Sequence, residues 1–558
     1  MALDSGHRWT WLFFFLALLV YAPGIWWGLP KHLTTGLPFG TDELGGTSAI
    51  KEIYAVFLSR HPVFNPQYPL FQYIVQIFFV APYYASLWLT GHLSYPAPTY
   101  PYGLDHPTFE LGVLTLLARS ASWLMAAGTV AIAFRTGEAL RDRRTGVLAA
   151  TFVLLLYPMF YYSRTSNVDA GALFWTALGL CIYARILMDG ESRKRWYGFG
   201  LCAALATATK DPSYAAFLST GAVLVCLRVV NARRSGRDTL QAMRLPLMAA
   251  GLALVAYLVA SGLVFRPRRY FRHLYFITHG SAGGVFLFRY PPTLSGYASM
   301  VTESANRMLD AMGAPMLICA VVGLVLWLTR ERRLLLWVIP AVAVYFGVIF
   351  PVRFTLLRFV LIIAYVLAFC AADVVARGWE HRSEWRRAAA RLAGVLVIVW
   401  GVIRGGDLTY QMLRDSRYAS ARWLAVMTRP GDRVGHFVPV QNLPSLPPQA
   451  SHVNLWQKKF PLGMETGGPE FIISIPLEDF EHVHERRLSE EVYQHLVDGS
   501  LGYRQAALIQ TPSLFRDRPA TFVNPPVRIF MREDVWKSRQ GVPASSRDRS
   551  GAAASVSR

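Results

Sequence analysis

Residues 71–89 read FQYIVQIFFVAPYYASLWL, and whether this stretch crosses a membrane decides the topology of everything that follows it. Its length approaches the ~20 apolar residues that span a bilayer core. Pro82 at its centre and its many aromatics suit a place along the membrane interface instead. Charge separates the two readings. Apolar runs suited to crossing occur at 9–29, 111–134, 146–162, 170–188, 196–209, 214–230, 245–265, 312–329, 334–351, 357–376 and 390–404. The connections RTGEALRDRR (135–144), ESRKRW (191–196), RVVNARRSGR (228–237), TRERR (329–333) and ARGWEHRSEWRR (376–387) carry most of the basic residues that flank these runs. Segments of that kind stay on the cytoplasmic side. With the amino terminus inside, all five do so only if 71–89 does not cross. The expectation is therefore about eleven crossings, with 71–89 a juxtamembrane element inside a long outer segment, 30–110.

Composition agrees with a polytopic α-helical membrane protein. Of 558 residues, 53% are hydrophobic and 16% charged, and the mean hydropathy is +0.30; soluble proteins carry closer to a quarter charged residues. The run at 9–29 exceeds a signal-peptide core of about 7–15 residues and lacks a small-residue cleavage site, so it reads as a retained helix. The net charge of +21 would suggest nucleic acid in a soluble chain, but it is spent on membrane-flanking turns and no nucleic-acid module is visible. All five cysteines lie in apolar runs without CxxC or Cys/His spacing, which argues against a disulfide framework or a thiolate metal site. From 405 onward the pattern changes. ARWLAVMTRPGDRVG (421–435), EFIISIP (470–476), EEVYQHLVDG (490–499), RQAALIQT (504–511) and VRIFMRE (527–533) alternate helix and strand signals. Residues 405–540 are expected to form a small extracytoplasmic α/β domain, and 541–558 a disordered tail.

With this topology, ionisable residues gather on the outer face: Asp42 and Glu43 in LPFGTDELGGTSAIKE (37–52), Arg119, Arg164 and Asp169 in YYSRTSNVDAG, Lys210 and Asp211 in ATATKDPSY, RPRRYFRH (266–273) with Arg268 and Arg269, and Arg353 and Arg358. Charged groups at membrane depth are costly and mark pathways or reactive sites. Cations on the outer face run against the positive-inside tendency and call for an anionic partner. Carboxylates beside them suit a reaction in which an anion departs and a hydroxyl or amine attacks. Transfer of a sugar from a lipid phosphate asks for this division: positive charge for the leaving phosphate and a carboxylate base for the acceptor. Asp42 is the expected base, with Glu43 or Asp169 orienting the acceptor or stabilising an oxocarbenium-like sugar.

The order of these motifs carries a resemblance. Thr41-Asp42-Glu43 is followed by Gln67-Tyr68-Pro69-Leu70-Phe71-Gln72-Tyr73, then LARSASWLMAAGTVAIAFRTGEALRDRRTG, LYPMFYYSRTSNVDAGALF and Thr209-Lys210-Asp211-Pro212. Over about residues 9–215 the chain resembles the GT-C-fold glycosyltransferases, the group that holds protein O-mannosyltransferases, lipid A aminoarabinose transferases and bacterial polyprenyl-phosphate-sugar transferases. The resemblance implies Asp42 as the acceptor-activating carboxylate, Asp169 as a second acidic site residue, and Arg119 and Lys210 as phosphate contacts. Arg164, Arg268, Arg269, Arg353, Arg358 and Tyr68 complete the expected donor-binding set. Relatives often carry His or Lys before the Pro-Leu pair, where this chain has Gln67-Tyr68, so the arginines of 266–273 are expected either to replace that phosphate contact or simply to bind anionic lipid headgroups. No metal or other cofactor is expected. The implied partners are a polyprenyl-phosphate-sugar donor, a protein, lipid or glycan acceptor and the bilayer, without nucleic acid. Arg-heavy, Lys-poor usage suggests a bacterial inner membrane. A transporter or flippase of lipid-linked sugars is the alternative, for which internal symmetry would be the sequence sign.

Overall fold

The structure, a computed structural model, describes residues 5–30, 36–40, 42–57, 67–94, 100–279, 289–438, 440–455, 467–475, 490–515 and 523–539. Thr41 and the expected tail at 541–558 lie outside the described residues. The chain divides into two units, Met1–Leu413 with Leu514–Ala520, and Arg414–Ser513 with Thr521–Arg558.

The first unit is helical. Its elements begin with α1 (Ser5–Tyr21), α2 (Ser48–Phe57), α3 (Phe71–Leu89), α4 (Pro107–Leu140), α5 (Arg143–Leu154), α6 (Tyr157–Tyr162) and α7 (Val168–Asp189). They continue with α8 (Arg193–Thr209), α9 (Ser213–Arg234), α10 (Thr239–Ala260), α11 (Pro267–His279) and α12 (Leu294–Arg330). Helical segments Leu334–Val352 and Leu361–Trp379 and a last long helix, Glu384–Leu413, complete it. Among the described residues, eight helices are long and apolar enough to cross a membrane, against the expected eleven or so. The runs at 9–29, 146–162 and 196–209 are not among them, because α1, α5 and α8 have only 17, 12 and 17 residues. Segment 71–89 is a helix but not one of the eight.

Local chemistry explains where helices start and break. Asp142 caps α5 by accepting from the Thr145 N–H at 2.7 Å, and Thr293 accepts from Gly296 N–H at the start of α12. The expected single run at 146–162 is broken between α5 and α6 because Pro158 has no N–H to give and its ring crowds the carbonyl four residues back. In α12, Gly313 adopts φ 73°, ψ 156° ahead of Pro315, kinking the helix where a side chain would meet the Trp400 indole at 2.2 Å. This helix starts at Leu294, well ahead of the apolar run at 312–329. The run 390–404 likewise belongs to a helix that continues to Leu413, so the units separate after 413 rather than 404.

Small residues bring the helices together. A Cβ on Gly137 of α4 would sit 2.7 Å from the Gly146 Cα of α5, and one on Gly323 of α12 2.2 Å from the Cys370 carbonyl oxygen. Close backbone approach of this sort replaces the hydrophobic effect as the packing force between helices in lipid. At one end of the bundle the basic connections meet. Arg141 lies 3.2 Å from Asp373 and 3.6 Å from Glu331, and Arg377 reaches both acids at 2.7 and 3.2 Å. Asp373 also accepts from the Trp327 indole at 2.7 Å. The connections at 163–167, 210–212 and 353–360 belong to the opposite ends of the same helices.

The second unit holds a five-stranded sheet in the order β2-β1-β3-β5-β4. Strands β1 (Arg433–His436), β2 (Ser451–Asn454) and β3 (Phe471–Ser474) run parallel, with β1 between the others; β5 (Val527–Arg532) is antiparallel to both β3 and β4 (Tyr503–Ile509). Strand β3 is buried throughout, and Phe471, Ile473, Ile529 and Met531 pack with Leu424 of the helix Ser416–Met427.

Candidate functional site

Two ion pairs form the centre of the site. Asp42 Oδ2 lies 2.5 Å from Nη1 of Arg358, and Asp169 Oδ1 lies 2.5 Å from Nζ of Lys210. The four side chains come from the first loop, the first turn of α7, the α8–α9 turn and the connection before Leu361, and they lie within each other's electrostatic reach. Arg358 and Lys210 both lower the Asp42 pKa, and Asp169 acts on Arg358. Phe359 presents one ring to both cations, at 5.6 Å from Lys210 Nζ and 5.8 Å from the Arg358 guanidinium carbon. Gln67 Nε2 donates to Asp42 Oδ1 at 3.4 Å and to the Tyr68 hydroxyl at 3.3 Å.

The local sequence explains these positions. Asp42 sits in the left-handed region (φ 55°), which aspartate tolerates better than most residues. Lys210 ends α8 in extended conformation, because Pro212 two residues on cannot continue the helix. The Asp169 Oδ2 atom is buried and meets no hydrogen-bond donor among the described residues. Burial pushes the Asp42 carboxyl up, but the Arg358 charge and hydrogen bond, helped by Gln67 and Lys210, outweigh it and hold the group below its usual range. Burial dominates at Lys210 and brings the ammonium below the usual lysine range despite Asp169.

Glu43 does something else. Its Oε1 accepts from Arg119 Nε at 2.6 Å, from Ser166 N–H at 3.0 Å and from Ser166 Oγ at 3.1 Å, and its Oε2 accepts from Arg119 Nη2 at 2.8 Å. Arg119 Nη1 donates to the Ile25 and Trp27 carbonyls, both at 2.6 Å. The two side chains are 0% exposed, whereas Asp42 is 28% exposed and Arg358 19%. The Glu43–Arg119 pair thus ties the first loop to α4 and the α6–α7 turn, and protein acceptors already occupy the arginine expected to hold phosphate.

The remaining expected residues divide the same way. Arg164 is buried and donates to the Tyr21 and Val20 carbonyls at 3.1 Å and towards Met412 Sδ at 3.7 Å, so it fastens the end of α1. Arg269 is buried against Glu52, at 3.0 and 3.1 Å, and donates to the Tyr68 carbonyl at 3.2 Å, so it supports the site from behind. Arg268, on the other face of α11, is exposed. Arg353 adopts φ 47° and its carbonyl accepts from Tyr290 N–H at 3.4 Å. Buried Tyr68 adjoins both pairs. Asp211 pairs with buried His273 of α11 at 3.0 Å. Among the described residues, no group of three His, Cys, Asp or Glu side chains converges as a metal site would require.

The sequence alone does not mark Gln67, Glu52, His273, Ser166 and Phe359 as site or support residues. Glu52 and His273 stand in stretches marked by other residues, and a polar side chain beside a membrane span is the available signal. Gln67 reads from sequence only as a departure from the family motif. Ser166 and Phe359 gave none.

No protein-family model matches the chain, and no curated protein does. Among solved structures, the chain is similar to ArnT from Cupriavidus metallidurans, a lipid A aminoarabinose transferase. Its apo form aligns with a TM-score of 0.43 and 13% identity, and the form bound to undecaprenyl phosphate with 0.45 and 14%; each covers 94% of this chain and 98% of that one. The archaeal oligosaccharyltransferase AglB from Archaeoglobus fulgidus, in complex with an inhibitory peptide and a dolichol-phosphate, aligns with a TM-score of 0.40 and 13% identity over 76% of this chain and 58% of that one. Arabinofuranosyltransferase AftD from Mycobacteria aligns with 0.42 and 14% over 95% and 42%. All are glycosyltransferases of the GT-C fold, the group that the order of motifs in this sequence resembles.

Proposed function

We propose that the chain is an integral-membrane glycosyltransferase that moves a sugar from a polyprenyl-phosphate carrier to a protein, lipid or glycan acceptor on the extracytoplasmic face. The observation that carries this reading is the pairing of Asp42 with Arg358 and of Asp169 with Lys210 in one cluster built from four distant segments. The reaction needs two cations for the departing phosphate and two carboxylates for the attacking side, and the cluster contains both. The acceptor oxygen attacks the anomeric carbon from the side opposite the phosphate. The bond from that carbon to the phosphate oxygen breaks, its electron pair leaves with the lipid phosphate, and the acceptor proton passes to Asp42. The product is inverted.

Asp42 suits the base because it is ionised at neutral pH and partly exposed. The buried Asp169 Oδ2, which meets no hydrogen-bond donor among the described residues, supports Asp169 as the group that orients the acceptor. Arg358 and Lys210 trade carboxylate for phosphate contacts when the donor enters, and charge-assisted bonds of this kind are among the stronger ones available. Tyr68 and Phe359 border the two pairs. The outer-face assignment follows from the basic connections at the other end of the bundle, which the positive-inside tendency holds in the cytoplasm.

The test is to incubate the purified chain in vesicles with a panel of radiolabelled polyprenyl-phosphate sugars and membrane extracts as acceptors. Label should move from lipid to acceptor with inversion at the anomeric carbon. Lipid-linked label that crosses the vesicle without being transferred would establish the transporter reading instead.

A further inference from the structure

Helix α11 is inside out. Its thirteen residues, PRRYFRHLYFITH, include no acid. Its buried residues are charged or titratable: Arg269 against Glu52, and His273 with Nε2 at 3.0 Å from Asp211. Its exposed residues include large aromatics, Phe271 and Tyr275, which are 61% and 63% exposed. Arg268 and Arg272 are exposed beside them. Positions 268, 271, 272, 275 and 279 follow i, i+3, i+4, i+7 and i+11, so they form a single stripe along the helix. Neither Arg268 nor Arg272 meets a carboxylate among the described residues. A helix in water would turn Phe271 and Tyr275 inward and its ion pairs outward.

Position supplies the reason. Helix α11 follows α10, one of the eight possible spans, after only the short turn at 261–266. The Tyr257 hydroxyl near the end of α10 lies 2.9 Å from that of Tyr270 and holds the two helices together. The first turn of α11 therefore lies where α10 leaves the hydrocarbon. Aromatic rings with polar tips and arginines with long apolar stems are the side chains that settle at headgroup depth.

We infer that the Arg268–Phe271–Arg272–Tyr275 face of α11 docks onto the bilayer surface and takes anionic phospholipid headgroups. Phe271 and Tyr275 enter the headgroup layer while Arg268 and Arg272 contact phosphates. Cations near an anionic leaflet each contribute roughly fivefold to such binding. The inner face of the same helix holds the Tyr68 carbonyl through Arg269 and the turn after Lys210 through His273. The docked helix thus braces two of the segments that carry the site. The inference needs only that the chain spans a membrane and is independent of the reaction proposed for it.

The full chain carrying Cys226→Ser and Tyr275→Cys is labelled at residue 275 with a fluorophore, since the other four cysteines are buried. It is placed in nanodiscs of phosphatidylcholine alone, or of phosphatidylcholine with phosphatidylglycerol. Nitroxide on lipid headgroups should quench the label while aqueous iodide does not. Phosphatidylglycerol should increase nitroxide quenching several-fold, and Arg268→Gln/Arg272→Gln should remove that increase. If the double variant proves unstable, the phosphatidylglycerol response of the unsubstituted arginines remains a complete test. Absence of nitroxide quenching, or quenching indifferent to phosphatidylglycerol, would overturn the inference. Shielding from iodide without nitroxide quenching would overturn it in favour of a protein partner on this face.

Discussion

Asp42 and Glu43 are adjacent, carry the same charge and each bind an arginine, yet their surroundings assign them different work. Glu43 and Arg119 are fully buried, and hydrogen bonds occupy both oxygens of the acid. Asp42 and Arg358 are partly exposed, and the aspartate has one strong contact and one long one. A fully buried carboxylate with both oxygens engaged inside the protein cannot accept a proton from an incoming molecule without breaking its fold. One at the edge of the cluster can. Position between bulk and core therefore separates, within a single dipeptide, a residue held as scaffold from one open to the role in the proposed reaction.

The largest expected effect comes from the buried side of this comparison. Glu43→Gln leaves Arg119 as an uncompensated buried charge, which typically costs about 3–5 kcal/mol. The expected outcome is a steep loss of folded protein, read as yield and melting temperature in detergent. A Glu43→Gln protein that melts like the parent and loses only turnover would move Glu43 into the chemistry and dissolve the contrast. Next in size are the cations of the exposed side. Lys210→Ala and Arg358→Gln should raise the KM for a lipid-phosphate donor by roughly ten- to a hundredfold, as expected for loss of a charge-assisted contact worth about 1.5–3 kcal/mol, with a smaller effect on the acceptor. Unchanged donor kinetics in both would remove them from the site.

Smaller effects come from pH. The Asp42 pKa is lowered in the folded chain, so its pairing stabilises the fold above the ordinary aspartate range near 3.9 and is lost only as pH falls through the lower folded value. Melting temperature should therefore carry no Asp42-dependent step between pH 5 and 8, and turnover should keep its base ionised across that range. A partly exposed pair of this kind contributes at most about 1 kcal/mol, so the acid-side shift in melting temperature between parent and Asp42→Asn should be small. Lys210 is lowered in the folded state, and there the sign reverses. Its charge, and with it donor binding, should fade on the alkaline side before the ordinary lysine value of about 10.4 is reached. Donor KM measured against pH checks this, and a KM flat beyond that value would remove Lys210 from the donor contact.

Much of this arrangement was legible in the chain, because bilayer topology restricts where polar residues can sit. Asp42, Asp169 and Lys210 stand out as charges at helix ends, and the basic connections assign those ends to one side. The partner of each charge was not legible. Arg119 reads as a phosphate contact until the 2.6 Å bond shows Glu43 in its place, and no spacing rule links residues so far apart in sequence. Helix lengths were also blurred: hydropathy marks apolar cores, while Pro158 and Gly313 decide where the backbone breaks. In the second unit, the strand at Ser451–Asn454 is not legible in the sequence, because SHVN is short and largely exposed, without the alternation that marks a strand.

The most direct test of the central claim is turnover per folded molecule of Asp42→Asn, with a lipid-phosphate sugar as donor and the melting temperature recorded on the same preparation. The account predicts that the variant melts within a few degrees of the parent and transfers sugar at least ~100-fold more slowly, the usual contribution of a positioned base. A folded Asp42→Asn protein that turns over at the parent's rate would contradict it.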